Sequence, residues 1–286
     1  MARSDVEAKP RPLALHHLTV RESSVFDLVK IAAENMCEAV CIFTHAPRIP
    51  IPGASFTEYP LVDCGNQAEF IATLRANGVG VGNIEFFPVT ETLDLEDYRK
   101  SLAVGAEVGA KRMVTHIHDG DDNRALDTLG RLCDEAARFD LKLGLEFMGL
   151  TPACASIQRA SWFVSQVGRT NIGIALDALH LIRTGGTAED VAAIPADQFS
   201  YSQICDGHGL DVTGDYRREG QDRELPGDGD WPLHAIYTAL PASTPLDVEV
   251  PSVTRVKQGV PPRNRARIPS AKIRSPTRRR SAIVLR

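Results

Sequence analysis

"KLGLEFMGL", Lys142–Leu150, is apolar at most positions yet carries an acid, Glu146, at its centre. A short apolar run bounded by polar residues fits a strand buried on both faces, as in a parallel sheet. A carboxylate buried there is costly unless its pKa shifts, it finds a partner or it binds a metal. The run therefore poses two questions: how many such strands the chain holds, and what Glu146 meets at its end.

Similar runs recur along the chain. They are "LALHHLTV" (13–20), "AVCIF" (39–43), "VGVGNIEFF" (79–87), "RMVTHI" (112–117), "NIGIALD" (171–177), "FSYSQIC" (199–205) and "PLDVEV" (245–250). Between them lie amphipathic stretches at helical spacing. "SSVFDLVKIAAENM" opens on a serine start signal, and "NQAEFIATLRANG" closes on Asn-Gly, a stop signal. "LEDYRKSLAVGAEVGA", "RALDTLGRLCDEAARFD", "IQRASWFVSQVG", "TAEDVAAIP" and "WPLHAIYTAL" follow the same pattern. Strand and helix in alternation predict a parallel α/β fold, and eight strands favour a closed (β/α)8 TIM barrel. The absence of an early GxGxxG argues against a dinucleotide-binding sheet.

The 286 residues suit one such barrel, which takes roughly 250. The expected domain spans 13–254, after a flexible N-terminus (1–12). The eighth helix has no sequence signal. After "PLDVEVPS" the chain offers prolines and scattered arginines without an apolar stripe. An irregular segment, a partner subunit in a homo-oligomer or an altered reading frame would each account for it. Residues 251–286 carry eleven of the 32 basic side chains and none of the 37 acidic ones. Residues 255–286 are thus expected to form a basic, disordered tail. A barrel without catalysis, its tail docking a partner or nucleic acid, is the non-enzyme alternative. The tail has no aromatic interleaving, which disfavours nucleic acid. No apolar run reaches the ~18 residues of a membrane span, and the polar N-terminus lacks a signal-peptide core. A cytoplasmic protein with six free thiols is expected, since no CxxC pair occurs.

Functional groups of such barrels sit at the C-terminal ends of strands. Glu146 ends the fifth run, Asp177 the sixth; Gln203 lies in the seventh and Glu249 in the eighth. Four successive strands would aim oxygen ligands at one place. Three carboxylates sharing a small site need a counter-charge, and a divalent cation supplies one. Oxygen donors suit Mg²⁺ or Mn²⁺, with Co²⁺ and Zn²⁺ as alternatives.

The motifs "GLEFM", "LDALH", "SQICDG", "RELPGDGDW" and "DVEVPS" resemble the sugar phosphate isomerase/epimerase superfamily, the xylose isomerase-like barrels, over about residues 13–260. The resemblance implies one divalent metal held by Glu146, Asp177, Gln203 and Glu249. It implies Glu146 and Glu249 as the acid/base pair, abstracting a proton beside a metal-bound carbonyl through an enediolate. The expected activity is isomerisation or epimerisation of a sugar or other polyhydroxylated carbonyl compound. A dehydratase of the 3-dehydroshikimate or inosose type is the runner-up. Gln203 departs from the commoner His, and Met148 stands where those dehydratases often carry a His. His180 and Arg223 would contact substrate oxygens, while His116, His16 and Glu85 would line the pocket. "VTHIHDGDD" offers His116, His118 and Asp119 as a rival metal cluster. The related three-zinc endonucleases, however, use additional His ligands around these carboxylates, where this chain has Gln203 and few other candidates among its eight histidines.

Overall fold

The computed structural model describes residues 11–47, 59–211 and 216–267. Eight parallel strands close into a barrel in sequence order. They are β1 (Leu13–His16), β2 (Ala39–Phe43), β3 (Gly80–Glu85), β4 (Arg112–Thr115), β5 (Lys142–Glu146), β6 (Ile172–Asp177), β7 (Phe199–Ile204) and β8 (Leu246–Val248). β8 pairs with β1 through Leu246 and Leu13, so no sheet edge is left. The expected TIM barrel is the observed fold.

Alternation along each strand sorts side chains into two compartments. Leu143, Leu145, Ile174 and Leu176 point outward into the apolar layer beneath the helices. The barrel interior has its own apolar cluster of Phe43, Phe86, Val114, Ala175 and Tyr201. Gly144 decides how the lumen fills: a Cβ there would lie 2.6 Å from the Tyr201 ring. The missing side chain on β5 admits the aromatic ring from β7.

Helices cover the outside at the expected places, including Val25–Glu34, Glu96–Glu107 and Asp122–Ala137. Ser24 and Asp121 cap the first and third of these by accepting backbone N–H groups. Two helices between β6 and β8 lack a counterpart among the expected elements, Ala178–Arg183 and Tyr216–Gly220. Ala178–Arg183 starts directly after β6, with Asp177 as its cap.

The stretch after β8 differs from expectation. Residues 255–267, expected in the basic tail, take part in two short helices, Val253–Lys257 and Pro262–Arg265. Ser252 caps the first helix. Arg265 is buried and ion-paired with Glu22, and Ala266 is fully buried. The second helix packs on the turn His17–Val20 that follows β1. A polar anchor and two turns of helix thus stand where an amphipathic helix is usual, and this is why no apolar stripe marks the element. The rest of the basic tail (268–286) and residues 1–10 lie outside the described residues. Among the described residues no helix is long and apolar enough to cross a membrane.

Candidate active site

β5 and β6 each end on an acid. Glu146 pairs in register with Ala175, and Asp177 with Gln203 on β7. Gln203 in turn pairs with Asp247, which places Glu249 just beyond the end of β8. The barrel's closure therefore brings Glu146, Asp177, Gln203 and Glu249 to one rim, all at least nine-tenths buried.

Each carboxylate meets different company. His116 Nε2 lies 2.9 Å from Glu146 Oε2, and His180 Nε2 lies 3.1 Å from Glu146 Oε1. Burial alone would push the Glu146 carboxyl up. The two imidazoles reverse this and hold it well below the usual carboxylate range. Asp177 Oδ1 accepts from Leu179 N–H at 2.6 Å, and its Oδ2 accepts from the Arg223 guanidinium at 2.7 Å. Arg223 also reaches Glu249 Oε1 at 3.1 Å, so one buried cation bridges two acids. Burial pushes Glu249 up to about 7, with Arg223 and His16 pulling the other way.

His180 joins the rim from the helix that Asp177 caps. Its Nδ1 meets the Tyr216 hydroxyl, which also accepts from Gly149 N–H at 3.3 Å. A hydroxyl that donates to Nδ1 leaves the proton on Nε2, facing Glu146. Full protonation has the same consequence. His180 therefore acts towards Glu146 as a hydrogen-bond donor. Nothing in the sequence pointed to Tyr216, since its partner comes from another strand's loop.

The opposite half of the mouth, from β1 to β4, is aromatic. Phe86 stacks on His116 with ring centroids 4.5 Å apart, and Phe43 stacks on Tyr59 at 4.3 Å. His16 and Glu85 sit together there, with His16 Nε2 3.4 Å from Glu85 Oε1 and Cys41 Sγ 2.8 Å from the same oxygen. Their grouping could hold an ion, but His16 Nδ1 accepts from Leu18 N–H, which leaves the proton on Nε2. This reads as a hydrogen-bonded triad in which Cys41 is the unforeseen member. The rival cluster does not form: Asp119 is held by Arg124 through two contacts of 2.7 Å.

The rim fits a divalent cation. Glu146 and Asp177 place carboxylate oxygens within 4.8 Å of each other, beside His180. Gln203 Oε1 and Glu249 Oε2 are buried without a hydrogen-bond partner. Buried oxygens are rarely left so, and each asks for a ligand.

A family model described as xylose isomerase-like TIM barrel matches residues 29–271. The chain belongs to this family. Its structural relatives share the fold at low identity. A xylose isomerase-like TIM barrel/4-hydroxyphenylpyruvate dioxygenase fusion protein matches at TM-score 0.75 and 17% identity. The match covers 91% of this chain but only 41% of that longer one. The IolI protein, solved with a bound zinc atom, matches at TM-score 0.72 and 17% identity, covering 91% of this chain and 95% of that one. D-allulose 3-epimerase from Methylomonas sp. matches at TM-score 0.65 and 15% identity, covering 91% and 95%. A probable 3-DHS dehydratase from Bacillus anthracis is also similar, at TM-score 0.68 and 13% identity, covering 89% and 96%. No curated protein sequence matches the chain. The structural neighbours thus include an epimerase, a probable dehydratase and one protein solved with zinc.

Proposed function

We propose that the protein is a divalent-metal-dependent isomerase or epimerase of a sugar or other polyhydroxylated carbonyl compound. The observation that carries this reading is the pair of buried, unpartnered oxygens, Gln203 Oε1 and Glu249 Oε2, on the rim that holds Glu146 and Asp177. Glu146, Asp177, Gln203 and Glu249 would hold the ion. Their all-oxygen character favours Mn²⁺ or Mg²⁺ over Co²⁺ or Zn²⁺. When bound, such an ion polarises a carbonyl and acidifies the neighbouring C–H.

The chain's own groups supply the rest. Glu146 and Glu249 flank the site from β5 and β8 and act as proton acceptor and donor. His116 and His180 fix the Glu146 carboxylate from both of its oxygens. Arg223 sets Asp177 and Glu249 relative to each other. His16 and Glu85 face substrate hydroxyls from the aromatic half. Return of the proton to the other face of the same carbon gives an epimer, and return to the adjacent carbon gives an isomer.

The test starts with metal analysis of the purified protein. About one divalent ion per chain is expected, lost in Glu146→Gln and Asp177→Asn. Ketoses and keto-acids are then incubated with the enzyme in D₂O. Deuterium in recovered substrate or epimer supports the proposal. Release of water from the substrate would instead make the enzyme a dehydratase, and metal retained in both variants would remove these residues from the site.

A further inference from the structure

The rim carries a cation of its own. Arg223 Nη1 lies 2.7 Å from Asp177 Oδ2, and Nη2 lies 3.1 Å from Glu249 Oε1. Arg223 is 5% exposed and Asp177 fully buried, so solvent screens the contact little. The guanidinium is held from several sides. Its Nε donates to Gly220 O at 3.4 Å, and Nη1 also reaches Glu249 O at 3.3 Å and Cys205 Sγ at 3.7 Å.

The chain around Arg223 is fixed as well. Its backbone N–H donates to Pro251 O at 2.9 Å. Glu224 and Asp206 exchange two backbone hydrogen bonds, of 2.9 and 2.8 Å. Asp222 accepts from the Ser252 hydroxyl at 2.7 Å, and Glu224 pairs with Arg255. Residues 222–224 are thus stitched to the chain leaving β7 and to the chain leaving β8, and the positive charge is built into the rim.

These contacts create a conflict at one oxygen. Asp177 Oδ1 accepts from Leu179 N–H at 2.6 Å, and Oδ2 accepts from Arg223, so both oxygens of this acid are engaged. Glu249 differs: Oε1 takes Arg223, while Oε2 has no partner. Glu249 can accept a second cation and keep the first. Asp177 can do so only by sharing Oδ2, and two cations on one buried oxygen repel each other.

We propose that Arg223 competes with the divalent cation for Asp177 Oδ2 and so weakens metal binding. The inference rests on the metal-binding reading given above. Without the guanidinium, Asp177 and Glu249 would be buried acids lacking their cation, which is strongly destabilising. The contact that makes the rim foldable is therefore the contact that opposes the ion. Arg223 also sets the two acids relative to each other, which favours the ion. The two roles have opposite signatures: loss of competition tightens metal binding, and loss of positioning weakens it.

The test is calorimetric titration of the metal-stripped, full-length protein with Mn²⁺ at pH 7. A wild-type protein that binds no Mn²⁺ would end the metal-binding reading itself. Where the wild type binds, Arg223→Gln is expected to tighten Mn²⁺ at least tenfold. It should also lower the thermal midpoint of the metal-stripped protein and enlarge the rise that saturating Mn²⁺ produces. An Arg223→Gln protein that folds only with Mn²⁺ present supports the proposal equally, because the added cation then replaces the built-in one. Where it folds in neither condition, Arg223→Lys decides. One ammonium lacks the fork that spans both acids, and Mn²⁺ should bind about threefold tighter. Binding that is unchanged or weaker in the variant that folds would overturn the proposal and leave Arg223 as a positioning residue alone.

Discussion

Glu146 is costly to bury, and two imidazoles make the burial tolerable. His116 and His180 donate to its two oxygens, and Tyr216 fixes the second imidazole. Loss of the Tyr216 hydroxyl should therefore be felt at Glu146. Tyr216→Phe is expected to leave the thermal midpoint nearly unchanged and to lower kcat about tenfold with little change in KM, measured on whichever substrate exchanges deuterium. A second residue with a clear expectation is His17. It is buried, its Nε2 donates to Ser23 O at 2.9 Å, and burial pulls its pKa down to about 4. The folded protein holds it neutral while the unfolded chain protonates near 6.5. Its contribution is complete above pH 6.5 and disappears as the pH falls towards 4, a loss of up to roughly 3 kcal/mol. Urea unfolding at pH 7 and pH 5 should show this fall, and His17→Asn should flatten it.

At the scale of elements, packing inside the lumen links strands that are remote in sequence. Gly144 on β5 yields space to Tyr201 on β7, and Ala175 on β6 does the same. Gly144→Ala is expected to destabilise by about 1–3 kcal/mol through overpacking. Tyr201→Leu should recover part of that loss in the double variant, which equilibrium unfolding would measure. The closing element behaves differently, because a buried guanidinium anchors it. Arg265 pairs with a half-exposed Glu22, so Arg265→Ala should cost about 1–2 kcal/mol, between the values for surface and buried pairs. Sequence patterns fail here for a physical reason. A stripe of apolar residues announces a helix, whereas one arginine among eleven basic residues announces nothing.

At the scale of the molecule, closure of the barrel concentrates negative charge at one rim and leaves Arg223 to bridge part of it. A cation binding there should stabilise the whole fold. Mn²⁺ at one hundred times its Kd is expected to add about 2.7 kcal/mol, seen as a rise in thermal midpoint that is absent in Asp177→Asn. Read alone, the order of residues settles the architecture. Eight apolar runs alternating with helical stripes can bury themselves on both faces in few other ways. The same pattern puts Glu146, Asp177, Gln203 and Glu249 at strand ends, because strand periodicity is local. What faces them is decided only by closure. The Tyr216–His180 contact, the Cys41–Glu85–His16 triad and the Asn83–Asp247 bridge all join distant strands or loops. Small residues at Gly144 and Ala175 set the room left for side chains across the lumen. Periodicity along a chain carries no measure of that space, so these contacts belong to the tertiary structure.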